Sequence, residues 1–143
     1  MTISTLSFVL PPNDIGMTLW ILTSVDDRHF SDEAKKNKLV CIVADEKEAA
    51  KLGAIAIRQD VKVLATLLDA GASVSYTPVS SERKLYVHVV QTGGSVQVKT
   101  SDGREVTLKE GDAALVEKTA KLELTGNPTL LLTPTELVLF DLA

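Results

Sequence analysis

Residues 95–108 read Ser95-Val-Gln-Val-Lys-Thr-Ser-Asp-Gly-Arg-Glu-Val-Thr-Leu108, and they carry the clearest local pattern in the chain. Each arm of this stretch alternates apolar and polar side chains, which is the period of a β-strand with one buried face. Asp102-Gly103 lies between the arms, and these residue types tolerate the positive φ angles of a type I′ turn. The stretch therefore predicts a β-hairpin.

Short β-patterned runs continue on both sides of this hairpin. From residue 54 onward they recur at about the 8 to 12 residue spacing of sandwiches and barrels. Gly93-Gly94 follows the alternating run 84–91 and is predicted to close a further hairpin. The remaining predicted strands span residues 60–68, 72–78, 113–117, 120–125, 129–133 and 136–142. About eight strands in this part of the chain suit a jelly roll that closes its own edges.

The first 53 residues have a different pattern. Residues 18–23 and 38–44 are predicted strands, and residues 26–37 between them are polar and loop-like. Asp45-Glu-Lys-Glu48 has the spacing of a helix capping box, so we predict a short helix over residues 46–52 that ends at Gly53.

These elements predict one domain over residues 1–143. Residues 1–53 form a strand-rich N-terminal extension with at most one short helix, and its strands pack on the core. Residues 54–143 form the all-β core, which is a β-barrel of the jelly-roll type.

Composition excludes several classes of function. The 143 residues carry a net charge of −4 with scattered basic residues, so we expect no nucleic-acid partner. No apolar run approaches the roughly 18 residues of a membrane span. The single Cys41 cannot form an intrachain disulfide, and the first twelve residues lack a secretory pattern. We therefore expect a cytoplasmic protein that does not bind membranes.

Seven short motifs follow one another along the chain. They are Trp20-Ile-Leu, Asn37-Lys-Leu-Val with Ala44-Asp45, Arg58-Gln-Asp-Val61, the run from Leu68 to Tyr76, Val87-His-Val-Val90, Gly111-Asp-Ala-Ala114 and Val138-Leu-Phe-Asp-Leu142. In this order they resemble the second half of pirin-family proteins, which are two-domain cupins, some with quercetin dioxygenase activity. The resemblance implies a cupin double-stranded β-helix, in agreement with the strand count.

The resemblance also implies that the metal-binding residues lie in the first domain of such proteins and that the second domain is metal-free. The residues agree, because a cupin metal site generally needs three imidazoles and a carboxylate. This chain has only His29, which is predicted to be solvated, and His88. Between residues 75 and 86 the only carboxylate is Glu82, whose neighbours Arg83 and Lys84 predict a surface ion pair. We predict no metal, no cofactor and no catalytic residue.

One departure from the family is visible in the motifs. Family members often read His-Gln-Asp where this chain has Arg58-Gln59-Asp60, so any role of that imidazole cannot be transferred. We predict that Arg58 pairs with a nearby carboxylate.

Two sets of residues are candidates for binding. Tyr76, Tyr86 and His88 are predicted to line a small-molecule pocket inside the barrel, with partial burial of His88 in the core as the alternative. Leu19, Trp20 and Ile21 belong to a strand that is predicted to cross between subunits of a homodimer, because an isolated strand gains hydrogen bonds from a neighbouring sheet.

The sequence therefore predicts a metal-free, non-catalytic, pirin-like cupin module. It binds a protein partner or a small ligand and forms a homodimer. The alternative is a subunit or variant of a pirin-like quercetin 2,3-dioxygenase. A transcriptional partnership, with the nucleus as a second compartment, follows from the resemblance alone.

Overall fold

The computed structural model describes residues 2–9, 22–128 and 133–143 of the chain. Strands dominate it, and two short helices lie in the first half. In chain order the elements are β1 (Thr2–Val9), β2 (Leu22–His29), α1 (Asp32–Lys35), β3 (Val40–Asp45), α2 (Glu46–Leu52), β4 (Ile55–Ile57), β5 (Val61–Leu68), β6 (Ser73–Tyr76), β7 (Lys84–Val89), β8 (Ser95–Thr100), β9 (Glu105–Lys109), β10 (Ala113–Val116), β11 (Leu122–Gly126) and β12 (Thr135–Leu142).

Ten of these strands form two sheets. The larger has the order β10-β7-β12-β5-β3-β4, and the smaller has the order β6-β11-β8-β9. Every pairing is antiparallel except that of β3 with β4. β1 and β2 form a separate antiparallel ladder. The predicted all-β jelly-roll class is confirmed, but the prediction that it closes its own edges is wrong, because the two sheets remain open.

The inner faces of the two sheets form one hydrophobic core. Strands of both sheets contribute aliphatic side chains that alternate with outward-facing residues, as expected for sheets packed face to face. The buried members are Leu64, Leu68, Leu85, Val87, Val89, Val96, Val98, Leu108, Val116, Leu122, Leu124, Leu137 and Leu139. Burial of this aliphatic set is the main force that holds the two sheets together.

The predicted helix over residues 46–52 is confirmed as α2. Asp45 Oδ1 accepts hydrogen bonds from the backbone N–H groups of Lys47 and Glu48 at 2.8 and 3.2 Å, which is N-capping. Gly53 ends the helix in the left-handed region at φ 65°. Both helix signals are local in sequence, which is why the prediction succeeds.

Residues 26–37 are not the predicted loop, and the prediction of at most one helix is wrong. Part of this segment completes β2, and Asp32–Lys35 forms α1 with Ser31 as its N-cap. Lys35 is 1% exposed, and its Nζ lies 2.8 Å from Glu136 Oε1 of β12. This long-range ion pair helps to hold a helical turn that the local sequence does not predict.

The segment up to residue 53 is also less separate from the core than predicted. β3 pairs with β5, and β4 pairs with β3, so both belong to the six-stranded sheet. Residues 18–21 of one predicted strand and 129–132 of another lie outside the described residues.

Two predicted turns differ from the structure. Thr100 N donates to Arg104 O at 2.9 Å, so three residues form the β8–β9 loop, and only Gly103 among them has a positive φ, of 86°. This is the three-residue hairpin with a bulge and not a type I′ turn.

Gly93-Gly94 does not close a hairpin either, because β7 and β8 belong to different sheets. The connection crosses the sandwich, and a Cβ on Gly94 would lie 2.8 Å from Thr135 Cα. Glycine is therefore required by a close backbone approach. In the part of the chain that the structure describes, neither helix is long or apolar enough to cross a membrane.

Candidate functional site

The three predicted ligand-binding residues do not meet. Along β7 the side chains of Leu85, Val87 and Val89 are buried in the core, so Tyr86 and His88 point to the opposite face of the sheet. Because Tyr76 on β6 packs against the core, it lies on the inner side of the sandwich. The single interior pocket predicted for Tyr76, Tyr86 and His88 is therefore wrong.

The predicted dimer residues lie elsewhere in the chain. Leu19, Trp20 and Ile21 are outside the described residues. Their role in an interface stays a prediction.

A hydrogen-bond network begins in residues 75–86, a stretch that contains no histidine. Tyr76 donates its hydroxyl hydrogen to Asp141, and Arg83 Nε donates to the other oxygen of the same carboxylate. Asp141 belongs to β12 and is only 1% exposed. Tyr76 and Asp141 come from different sheets, so the network joins the sheets through polar contacts.

Arg83 extends the network to the protein surface. Its Nη1 lies 3.0 Å from both carboxylate oxygens of Asp60, and its Nη2 donates to the backbone oxygens of Asp60 and Asp141 at 3.3 and 3.2 Å. The planar guanidinium thereby places its donors on two carboxylates and two carbonyls. Arg83, Tyr76, Asp141 and Asp60 are called the Asp141 network below.

The charges of this network are fixed by its own contacts. The hydrogen bonds from Arg83 lower the pKa of Asp60, and those same contacts raise the pKa of Arg83 despite its burial. Burial, followed by the hydrogen bond to Asp141, raises the pKa of Tyr76. The network therefore holds a neutral phenol and a permanent cation, and neither is poised to exchange protons near neutral pH.

A thiol lies near this end of the sandwich. Cys41 Sγ contacts Val43 O at 3.3 Å, and burial raises the pKa of the thiol. Lys62 Nζ lies 2.6 Å from Glu48 Oε2, so the neighbouring ammonium is paired with a carboxylate. A half-buried thiol with a raised pKa is a poor nucleophile.

The residues do not fit a cupin metal centre. Across residues 2–9, 22–128 and 133–143, no three His, Cys, Asp or Glu side chains come together as a metal site would require. His29 lies at the end of β2, and His88 lies on the outer face of the six-stranded sheet. Asp60 and Asp141 both bind the Arg83 guanidinium, so a cation of the protein itself already occupies these carboxylates.

Two predicted ion pairs have different outcomes. Arg58 pairs with a carboxylate as predicted, since its Nε lies 2.9 Å from Glu46 Oε1 beside an open cavity of about 640 Å³. The surface pair predicted for Glu82 is absent from the described part of the chain. Arg83 instead points into the network, and Lys84 Nζ lies 3.8 Å from Glu117.

Asp141 and Arg83 were not predicted as site residues from the sequence. The signal for Asp141 was present, because Leu137, Leu139 and Asp141 share one face of an alternating strand. A carboxylate on a buried face needs a partner. The identity of that partner was not readable, because Arg83 lies 58 residues away in the sequence.

The outer face of the six-stranded sheet is apolar where solvent-facing residues are expected. Leu115 of β10 lies opposite Tyr86, Tyr86 lies opposite Phe140 of β12, and Phe140 lies opposite Val63 of β5. The rings of Tyr86 and Phe140 meet edge to face, with centroids 5.9 Å apart. Val63 is covered by the cluster around Phe30, whereas Leu115 is 59% exposed and Tyr86 is 38% exposed. We call Leu115, Tyr86 and Phe140 the outer row.

Removal of the Arg83 guanidinium should destabilise the fold. Arg83→Met leaves the Asp141 carboxylate buried without its cation, and we expect the free energy of unfolding to fall by about 3–5 kcal/mol in urea denaturation. Lys84→Met is the matched control, because Lys84 is exposed and should change stability by less than about 0.5 kcal/mol. Equal effects of the two substitutions would contradict the assigned role of Arg83.

The Tyr76 hydroxyl should give the fold a stability limit at alkaline pH. Its folded pKa is raised above the ordinary value of about 10, so its contribution is present below pH 10 and is lost as the pH rises through the folded pKa. Tyr76 and Tyr86 are the two tyrosines of the chain, so phenolate absorbance of a Tyr86→Phe variant reports Tyr76 alone. We expect ionisation well above pH 10 in the folded protein and near pH 10 in denaturant. An ionisation midpoint near pH 10 in the folded protein would show that the Tyr76 hydroxyl is not held by Asp141.

Comparison with known proteins places the chain in a family. A family model described as the quercetinase C-terminal cupin domain matches residues 42–142. No curated protein sequence matches the chain significantly. Among solved structures, YhhW from Escherichia coli has a TM-score of 0.65 at 17% identity, covering 87% of this chain and 48% of YhhW.

Two further solved structures agree on the fold. The structure of the bacterial pirin YhhW in complex with nickel(II), also from Escherichia coli, gives the same TM-score of 0.65 at 17% identity, over 88% of this chain and 46% of that one. YhaK from Escherichia coli has a TM-score of 0.65 at 19% identity, over 82% of this chain and 45% of YhaK. This chain therefore spans about half the length of these proteins.

The predicted resemblance to the second half of pirins is confirmed by these matches. The family model covers most of the chain and includes both sheets and the Asp141 network. This chain belongs to the family of quercetinase C-terminal cupin domains, the second cupin domain of pirin-like proteins.

Proposed function

We propose that this chain is a non-catalytic, metal-independent cupin module that associates with a second copy of itself through the outer row. The observation that carries the proposal is the apolar character of that row. In an antiparallel sheet with one face on the core, the other face is normally polar. Here the three strands at one end of the sheet present Leu115, Tyr86 and Phe140 side by side.

The neighbouring residues extend this surface. Ala113 lies opposite His88, and His88 lies opposite Val138, so a second cross-strand row next to the outer row is apolar except for one imidazole. At the β5–β3–β4 end, the same face of the sheet is already covered by Phe30. A contiguous exposed apolar surface of this kind is typical of interaction sites.

A second copy is the partner that suits a single continuous row. In a two-fold dimer the same patch meets itself, and the aromatic pair would lie at its centre. Aromatic side chains with surrounding aliphatic groups are characteristic of the central part of interfaces. We therefore retain the homodimer predicted from the sequence and propose the outer row as its contact surface.

The Asp141 network supports the non-catalytic part of the proposal. Its carboxylates bind Arg83, its phenol has a raised pKa, and its guanidinium contacts two carboxylates and two backbone carbonyls. A catalytic acid or base needs a pKa near the working pH and access to a substrate. These residues instead support a structural role, since each satisfies the hydrogen-bonding needs of another.

A charge in the outer row should prevent association. At micromolar concentration we expect a dimer by light scattering, and Leu115→Glu should raise the dimer dissociation constant at least about tenfold, because a carboxylate would be buried without a partner. Val79→Glu is the control, since Val79 is 75% exposed in the β6–β7 loop. A monomeric parent protein, or equal dissociation in both variants, would contradict the proposal.

The alternative function is participation in a quercetin 2,3-dioxygenase. The observation that favours it is the family description, which names a quercetinase domain. Such an enzyme would need a metal centre supplied outside the residues described above.

Elemental analysis and oxygen uptake separate the two functions. We expect the purified chain to hold no stoichiometric iron, copper, nickel or manganese and to consume no oxygen with quercetin. Oxygen uptake is measured again after each metal is added, which controls for metal lost during purification. Stoichiometric metal together with oxygen uptake would contradict the non-catalytic module and support the dioxygenase function.

A further inference from the structure

A second cavity lies at the open seam between the two sheets. β9 is the last strand of the four-stranded sheet, and β10 is the first strand of the six-stranded sheet, so neither has a partner on that side. The turn around Gly111 joins the two strands, and a cavity of about 140 Å³ lies between them. The seam is where the jelly roll fails to close.

The lining of this cavity is mainly apolar. Val98 and Val116 come from opposite sheets, are nearly fully buried, and belong to the main core. Ala114 lies between the sheets, and Val106 and Leu115 are exposed at the opening. Of the two inward positions of β10, Val116 carries an isopropyl group and Ala114 only a methyl group, which leaves space beside Ala114.

The polar groups at the opening already have partners. Arg104 Nε lies 2.7 Å from Asp102 Oδ2, and its Nη2 donates to Glu117 O at 3.1 Å. The Thr100 hydroxyl lies within hydrogen-bond distance of Asp102 Oδ1 and of the backbone oxygen of Arg104. Because these contacts are internal, an occupant gains little from carrying a charge. The lining therefore favours a neutral molecule.

The volume sets the size of that molecule. An enclosed apolar cavity of about 150 Å³ in another protein binds benzene, and a pocket for a drug-sized ligand is at least about 300 Å³. The seam cavity has a similar volume to the enclosed one, but it opens to solvent between β9 and β10. We infer that the seam cavity binds one neutral, monocyclic aromatic molecule, with the ring between Val98, Ala114 and Val116. Neither the family match nor the outer row assigns a ligand to this place.

The test is a titration of the full chain with benzene, followed by amide and methyl NMR. We expect saturable shifts centred on Val98, Ala114 and Val116. Ala114→Leu fills the cavity and should raise the dissociation constant for benzene at least about tenfold. Ala56→Leu is the matched control, because it adds the same atoms at an exposed position of β4, the strand at the opposite edge of the six-stranded sheet. It should leave the dissociation constant within about twofold, which is well inside that tenfold difference.

Ala114→Val, which adds less volume, keeps the test decisive if Ala114→Leu does not fold. It should weaken benzene binding by an intermediate amount and leave the thermal midpoint unchanged or higher, because the added methyl groups bury apolar surface against Val98 and Val116. Shifts that do not saturate, or that spread over the whole chain, would overturn the inference. Equal weakening by Ala56→Leu, or unchanged binding in both Ala114 variants, would do the same.

Discussion

The burial of the Asp141 carboxylate is the constraint on which the rest of this structure depends. Asp141 lies in β12, between β5 and β7, at a position that points into the sandwich. A carboxylate in such a place must be paired, because an unpaired charge in an apolar interior is very costly. Arg83 and Tyr76 meet that need, and in doing so they fix the β6–β7 loop against the end of the sandwich. Residues 75–86, which contain no histidine, thus supply Tyr76 and Arg83 to a structural network.

The same strand geometry separates the two candidate surfaces. Successive residues of a strand point to opposite faces, so the buried series Leu85, Val87 and Val89 places Tyr86 and His88 outside. The outer row is therefore a consequence of the core, and a one-residue shift of β7 would exchange the two faces. The seam cavity has a different origin. It arises because β9 and β10 follow each other in sequence but lie in different sheets. The two proposed binding surfaces lie where the two-layer fold leaves a face or an edge uncovered.

Local signals in the sequence predicted the parts of the fold that local physics determines. α2 was predicted from Asp45 and Gly53, and the strands were predicted from alternation of side-chain type. Connections were not predictable in this way, because the close approach of Gly94 to Thr135 involves residues 41 positions apart, as counted from their numbers in the sequence. α1 was missed because the ion pair between Lys35 and Glu136 spans 101 positions. The face of β7 that meets the core was assigned wrongly because both of its faces carry large side chains.

The position of β12 in the sheet has a consequence for synthesis of the chain. β12 follows every other described strand in sequence, yet it lies between β5 and β7 and pairs with both along most of its length. During synthesis, β5 and β7 therefore leave the ribosome well before β12. Until β12 is made, the edge of each strand that will pair with β12 has no hydrogen-bond partner. Late pairings between distant segments are slow, and exposed edges recruit other chains while they wait. A nascent copy of this domain consequently exposes these two strand edges until β12 emerges.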